Sequence, residues 1–159
     1  MNDLNKVSES DLSTIIECPL FKNFSENALK FFIEDSVIVY LNKGDYIFKE
    51  KDSSDSMYII LDGEIKIQSF ANDKEIIFAS LKKYAFFGEI AMLTKQKRLT
   101  DAIASTSAKL LVLTMANFDQ LQINHPELLS NVYKEMLIIV CNRLKITDQK
   151  IIIKTIYKD

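Results

Sequence analysis

Two periodicities divide the chain. From Asp11 to Cys18, and again from Ser25 to Asp35, apolar residues recur at helical spacing, as Leu12, Ile15 and Ile16 and then Leu29, Phe32 and Ile33, which predicts two short amphipathic helices. Pro19-Leu20-Phe21 separates them, because proline disfavours helix in the residue before it, and Ser25 followed by Glu26 is a start signal for the second. From Val37 the texture changes to short β-branched and aromatic runs, VIVYL, YIF, MYIIL, EIKIQSF, KEIIFASL and AKLLVLT. Turn signals punctuate them at Lys43-Gly44, Asp52-Ser53-Ser54, Asp62-Gly63 and Asn72-Asp73, so the region reads as antiparallel strands closed into a sandwich or small barrel. Thr114 then opens a helix over MANFDQLQINH, and Pro126-Glu127 opens another. This last helix carries a broad apolar face, from Leu128, Leu129 and Val132 through Met136, Ile139, Val140 and Leu144 to Ile151 and Ile152.

No repeat, low-complexity run or Pro/Gly linker marks a second domain, and 159 residues suit one core with appendages. The expected class is α+β, mainly β: N-terminal helices over 1–36, a β region over 37–115, and C-terminal helices over 116–159.

Composition narrows the functions open to such a domain. A formal net charge of -2 lacks the basic excess with which nucleic-acid-binding domains neutralise phosphates. Two cysteines, Cys18 and Cys141, do not make a disulfide framework and suit a reducing, cytoplasmic setting. No segment approaches the roughly 20 apolar residues of a membrane span. A single histidine, His125, is too little for a His-rich metal cage or for the usual nucleophile–histidine pair, and an iron–sulfur cluster would need about four cysteines. The expectation is a non-enzymatic module without a cofactor.

The candidate chemistry lies in the stretch FGEIAMLTKQKRLTDA, residues 87–102. The chain holds only three glycines. Gly44 and Gly63 have turn explanations, whereas Gly88 follows Phe87 and leads into EIAML, a short segment of helical character. A glycine entering a helix lets the backbone approach a ligand, and the free amides of a helix start suit a phosphate. Arg98 can supply a forked, charge-assisted partner for the same anion, and Glu89 a carboxylate for a sugar hydroxyl. The same residues also fit a plain turn, a first-turn acid favoured by the helix dipole, and a solvated basic run with Lys95 and Lys97. Spacing alone leaves both readings open.

The sequence as a whole resembles the cyclic nucleotide-binding domain family, shared by the catabolite activator class of bacterial regulators, cyclic-nucleotide-dependent kinases and nucleotide-gated channels. PLF with SENAL resembles its N-terminal helices, KGDYIFKE and SDSMYIILDGEIKI its first hairpins, and FGEIAML through RLTDAIA its phosphate-binding cassette. LLVLTMANFDQLQINHPEL resembles the strand and helix that follow. The resemblance implies an antiparallel β-roll or jelly-roll barrel flanked by N-terminal helices and a long C-terminal helix. It also implies that Phe87 and the backbone around Gly88, Ile90 and Ala91 cradle a cyclic phosphate, completed by the backbone of Leu99 and Thr100. Arg98 would pair with a phosphate oxygen and Glu89 would accept from the ribose 2'-hydroxyl. NRLKITDQKI is similar to the dimer helix of the catabolite activator, which sets Thr147 against the base.

Three departures stand out. Lys51 and Tyr84 occupy turn positions where the family commonly has glycine. Leu99 stands where a small or hydroxylated residue often follows the arginine, and the absence of a threonine there leans towards cAMP over cGMP. The stretch from Pro126 to Arg143 is longer than usual by about one helical turn, roughly four residues, which preserves the helix face.

The expected protein is thus a cyclic nucleotide receptor, homodimeric through its C-terminal helix, in which the ligand shifts that helix. The family's transcription factors continue into a helix-turn-helix, and this sequence shows none before Asp159, so no direct DNA contact is expected. The output would be an unidentified effector protein, docked on the tail KITDQKIIIKTIYKD. A degenerate scaffold of the same fold, binding no nucleotide, is the alternative.

Overall fold

The architecture described here is that of a computed structural model covering residues 4–72 and 74–156. Asp73 of the expected Asn72-Asp73 turn and the last three residues of the expected docking tail, 157–159, lie outside the described residues. In chain order the elements are β1 (Leu4–Lys6), α1 (Glu9–Ile15), a 3-10 turn (Pro19–Phe21), α2 (Glu26–Phe32), β2 (Val37–Leu41), β3 (Tyr46–Phe48), β4 (Ser56–Asp62), β5 (Glu64–Ala71) and β6 (Lys74–Lys82). There follow β7 (Phe86–Phe87), α3 (Glu89–Thr94), β8 (Asp101–Ala104), β9 (Ala108–Thr114), α4 (Met115–Asn124) and α5 (Pro126–Ile156).

The strands form two antiparallel sheets packed face to face, one ordered β1-β2-β9-β4-β7 and the other β3-β8-β5-β6. Alternation along β9 shows why. Leu111 and Leu113 face the helices, in a core with Phe21, Phe32, Phe86 and Phe118, whereas Ala108 and Leu110 face the second sheet in a core with Val39, Ile60, Ile65 and Phe87. The first sheet is therefore buried on both faces, and the helices and the second sheet each bury one of its sides. The fold is mainly β and jelly-roll-like, with helices at both ends of the chain.

Most elements stand where the hydrophobic pattern puts them, with physical reasons for the differences. The first helix starts at Glu9 rather than Asp11, because Ser8 and Asp11 form a reciprocal cap, the Ser8 amide donating to Asp11 Oδ2 at 2.8 Å. It ends at Ile15, and α2 ends at Phe32 rather than Asp35. Three strands escape the pattern. β1 precedes the helices and pairs with β2, so the N-terminal segment contributes a strand to the first sheet. β7 and β8 are short, and DAIA in β8 has one β-branched residue.

The turn positions carry the backbone their spacing implies. Gly44, Gly63 and Gly88 all have positive φ, and a Cβ on Gly63 would fall 2.3 Å from the Ser107 carbonyl oxygen. Lys51 and Tyr84 hold the same left-handed backbone, φ 71° and 69°, with side chains that disfavour it.

Candidate functional site

Phe86-Phe87 pairs with β4 in the register Tyr58 to Phe87 and Ile59 to Phe86, which fixes the take-off point of the following residues. Gly88 turns the chain at φ 83° and ψ -1°, and Glu89 begins the six-residue α3. A Cβ on Gly88 would lie 2.7 Å from Arg98 Nη1 and 3.4 Å from the Tyr58 ring. The glycine that the sequence marks as making room does so for the guanidinium of Arg98.

Arg98 is held from both ends. Its amide donates to the Asp52 carbonyl at 2.9 Å, and its own carbonyl accepts from the Lys51 amide at 2.8 Å, so the β3–β4 loop clamps its backbone. Its side chain returns across the cassette, Nη1 donating to the Gly88 carbonyl at 2.8 Å and Nη2 to the Ser56 carbonyl at 2.9 Å. The guanidinium lies 4.0 Å above the Phe48 ring, within an aromatic group in which Tyr58 stacks on Phe87 at 5.2 Å. At 4% exposure it is nearly dry, yet no carboxylate forms an ion pair with it among the described residues, and its Nε has no hydrogen-bond partner. Burial draws its pKa below the ordinary value, opposed by Tyr58, Asp52 and Asp55. A buried guanidinium without a carboxylate beside it can serve as a charge-assisted partner for an anionic group.

Glu89, 7% exposed, sits beside it. Burial pushes its carboxyl above the ordinary value, while Arg143, its own backbone and Arg98 pull the other way. Arg143 comes from α5: its Nη1 reaches Glu89 Oε1 at 3.4 Å, its Nη2 donates to the Phe86 carbonyl at 2.6 Å, and its carbon lies 4.7 Å above the Phe86 ring. The long helix is thereby latched to the cassette. The sequence reading missed this residue. Its signal is an arginine on a largely apolar helix, one turn before Thr147, whose hydroxyl donates to the Arg143 carbonyl at 3.0 Å.

These parts enclose one cavity of about 570 Å³. All nine residues singled out from the sequence line it: Phe87, Gly88, Glu89, Ile90, Ala91, Arg98, Leu99, Thr100 and Thr147. Phe48, Ile67 and the β6 stretch Phe78, Ala79, Ser80 and Leu81 supply the barrel wall, and α5 supplies a roof of Val140, Arg143, Leu144, Ile146, Thr147 and Lys150. One end of the cavity is cationic and rich in backbone amides, and the other is apolar with a few hydroxyls. Such a cavity can hold an anionic head and a flat, half-apolar body. Among the described residues no cluster of three or more His, Cys, Asp or Glu side chains could hold a metal ion, and no helix is long and apolar enough to cross a membrane.

A β-roll with a buried guanidinium that has no carboxylate partner among the described residues, set beside a helix start, has the parts of a module for a small anionic ligand. Comparison with known proteins names the family: the "Cyclic nucleotide-binding domain" profile matches residues 38–125, more than half of the chain. The chain belongs to the cyclic nucleotide-binding domain family. It is 29% identical over 113 residues to cGMP-dependent protein kinase 2 of Mus musculus, a match covering 65% of this chain and 15% of the kinase. It is 29% identical over 112 residues to the potassium/sodium hyperpolarization-activated cyclic nucleotide-gated channel 2 of the same species, covering 70% of this chain and 12% of the channel. The chain thus spans a small part of these relatives. Among solved structures, a cyclic nucleotide-binding domain from Methylobacillus flagellatus superposes with a TM-score of 0.85 at 22% identity, covering 96% of this chain and 89% of that one.

Proposed function

We propose that the protein is a regulatory module that captures a cyclic nucleotide, cAMP in preference to cGMP, and passes the event to α5. The observation that carries this reading is the buried Arg98 guanidinium, without a carboxylate partner among the described residues and facing a cavity roofed by α5. In this reading the cyclic phosphate takes the donors of Arg98 and the amides around Gly88, Ile90 and Ala91, with the Leu99–Thr100 backbone closing the cradle. Glu89 accepts from the ribose hydroxyl. The base lies between the barrel wall and Thr147. Leu99, which brings no hydroxyl to the cavity, supports adenine over guanine, although the kinase relative is named for cGMP.

Coupling to the helix follows from Arg143. A ribose hydroxyl at Glu89 shares the carboxylate that Arg143 holds, and a phosphate at Gly88 acts on the strand end whose Phe86 carbonyl Arg143 also holds. Two arrangements of α5 then differ in ligand affinity, which is what a switch requires. Leu137, Leu144 and Ile151 stand exposed on α5 at seven-residue spacing, which supports a homodimer through this helix. No catalytic step is assigned.

Isothermal titration with cAMP and cGMP, at protein concentrations well above micromolar, tests the reading. We expect saturable heat with cAMP, weaker binding of cGMP, and a loss of about 30-fold or more in Arg98→Ala, the worth of a charge-assisted pair. Absence of heat with both nucleotides overturns it and leaves a scaffold of the same fold.

A further inference from the structure

A second cavity, of about 440 Å³, opens at another part of the β-roll, away from α3 and α5. Its walls are Val37, Val39 and Leu41 of β2, Ile47 of β3 and Val112 of β9, with Ser56, Tyr58 and Thr114 beside them and Asp55 completing the lining. Val37, Ile47 and Val112 are each only partly buried there, and Ile47 and Val112 pack at the margin of the core between the sheets. Asp55 is exposed, and its carboxylate has no hydrogen-bond or ion-pair partner among the described residues, so negative charge stands at an apolar hollow. We infer that this hollow is a second small-molecule site, for a short apolar chain carrying a cationic ammonium head: the chain fills the valine-lined cleft and the head meets Asp55.

The charge arrangement selects this occupant. A carboxylate head would be repelled by Asp55, and a neutral alcohol would bring no opposite charge to it. The cleft also backs onto the cavity that Arg98 and Phe87 line. Ser56, which lines the cleft, receives Arg98 Nη2 on its carbonyl at 2.9 Å, and Tyr58, which also lines it, stacks on Phe87 of the other cavity at 5.2 Å. The field of Asp55 also reaches Arg98.

The test is a nuclear magnetic resonance titration of the whole chain with n-hexylammonium, 1-hexanol and hexanoate in turn. Shifts for n-hexylammonium are expected at Ile47, Val112 and Thr114, with binding about threefold tighter than that of 1-hexanol, the worth of one solvent-exposed charge pair. Hexanoate is expected to bind most weakly. Asp55→Asn is expected to bring n-hexylammonium down to the level of 1-hexanol, and Val37→Phe, at the rim of the first sheet, to block both while thermal melting stays cooperative. Equal binding of all three probes, or shifts confined to Phe78, Leu144 and Thr147, overturns the proposal. So does unchanged n-hexylammonium affinity in a folded Asp55→Asn protein.

Discussion

Glu89 on α3 and Arg143 on α5, 54 residues apart in the chain, meet at 3.4 Å, and the same guanidinium donates to the Phe86 carbonyl at 2.6 Å. One side chain thus ties the long helix to both ends of the turn that contains Gly88. Arg143 is about two-thirds buried, and its pKa is drawn below the ordinary value by burial, with Glu89 opposing. The contact is therefore more than a surface ion pair, and it lies where a ligand would change its surroundings.

Arg143→Ala is expected to free α5 beyond Val140 while leaving the β-roll intact. The substitution removes one charged pair and one charge-assisted hydrogen bond, a loss of about 1–2 kcal/mol. Hydrogen exchange should accelerate several-fold in residues 141–153 and remain unchanged in β4 and β9, whose amides are locked in the central sheet. Exchange that rises equally in both places would mean that Arg143 supports the whole core rather than the helix alone.

The loop backbone offers a substitution that stabilises. Lys51 holds φ 71° with a side chain 81% exposed and, among the described residues, only a long contact to Glu50 at 3.7 Å. Lys51→Gly relieves left-handed strain without removing packing, and should gain about 0.5–1 kcal/mol, or about 1–4 °C in Tm, by thermal melting. Tyr84 holds a similar φ of 69°, but its ring packs against the core shared with the helices. Tyr84→Gly should therefore lower Tm, because lost burial of a partly buried aromatic side chain, about 1–2 kcal/mol, exceeds the strain relieved. Opposite signs at two positions of like backbone separate strain from packing.

These two residues also show how far the sequence can be read. Lys43-Gly44 and Asp62-Gly63 announce their turns because glycine is a direct mark of positive φ, and Gly88 announces the cassette for the same reason. Lys51 and Tyr84 carry no such mark, and their turn geometry follows only from resemblance to relatives with glycine there. The nine site residues come together because eight lie in one continuous stretch, where local spacing dictates proximity, and the resemblance of the last helix supplies the ninth, Thr147. Arg143, Phe48 and Tyr58 reach Glu89 and Arg98 only through tertiary packing, and no periodicity encodes such a meeting. β1 and β8 are invisible for a related reason. Three or four residues without a β-branched run become strands only when a neighbour supplies the hydrogen bonds.

Asp11 gives the fold a definite response to acid. Its Oδ2 accepts from the Ser8 amide at 2.8 Å and the Ser8 hydroxyl at 2.7 Å, and its Oδ1 is ion-paired with Lys109 of β9. Burial pushes the carboxyl up, but Lys109 and Ser8 outweigh it and hold it below the usual carboxylate range. A carboxyl depressed in the folded state stabilises the protein above about pH 4, and that contribution disappears as pH falls through its lowered value. Asp11→Asn should cost about 1–3 kcal/mol at pH 7 in urea unfolding, with the gap to the parent narrower at pH 3, below the ordinary carboxylate value. A gap of equal size at both pH values would assign the loss to helix capping alone.

Glu89 has the opposite sign, and the contrast isolates its function. Its carboxyl is raised by burial, beyond what Arg143, its own backbone and Arg98 pull back, so the folded chain binds this proton more tightly than the unfolded chain does. Stability linked to Glu89 therefore falls as pH rises from the ordinary carboxylate value through the raised one, and at neutral pH the ionised group is carried at a cost. The Arg143 contact does not require a carboxylate, since a glutamine of the same shape would fill the space and its carbonyl could still accept from Arg143. Glu89→Gln should melt at or above the parent temperature at pH 7, with the two curves converging towards pH 4, where both side chains are neutral. The same variant should bind cyclic nucleotide about tenfold more weakly, the worth of replacing a charged by a neutral hydrogen-bond acceptor for a ribose hydroxyl. Calorimetric melts across pH with titrations at pH 7 measure both quantities. Loss of stability together with loss of binding would make Glu89 a structural partner of Arg143, whereas stability retained while binding falls identifies a group kept charged for its ligand.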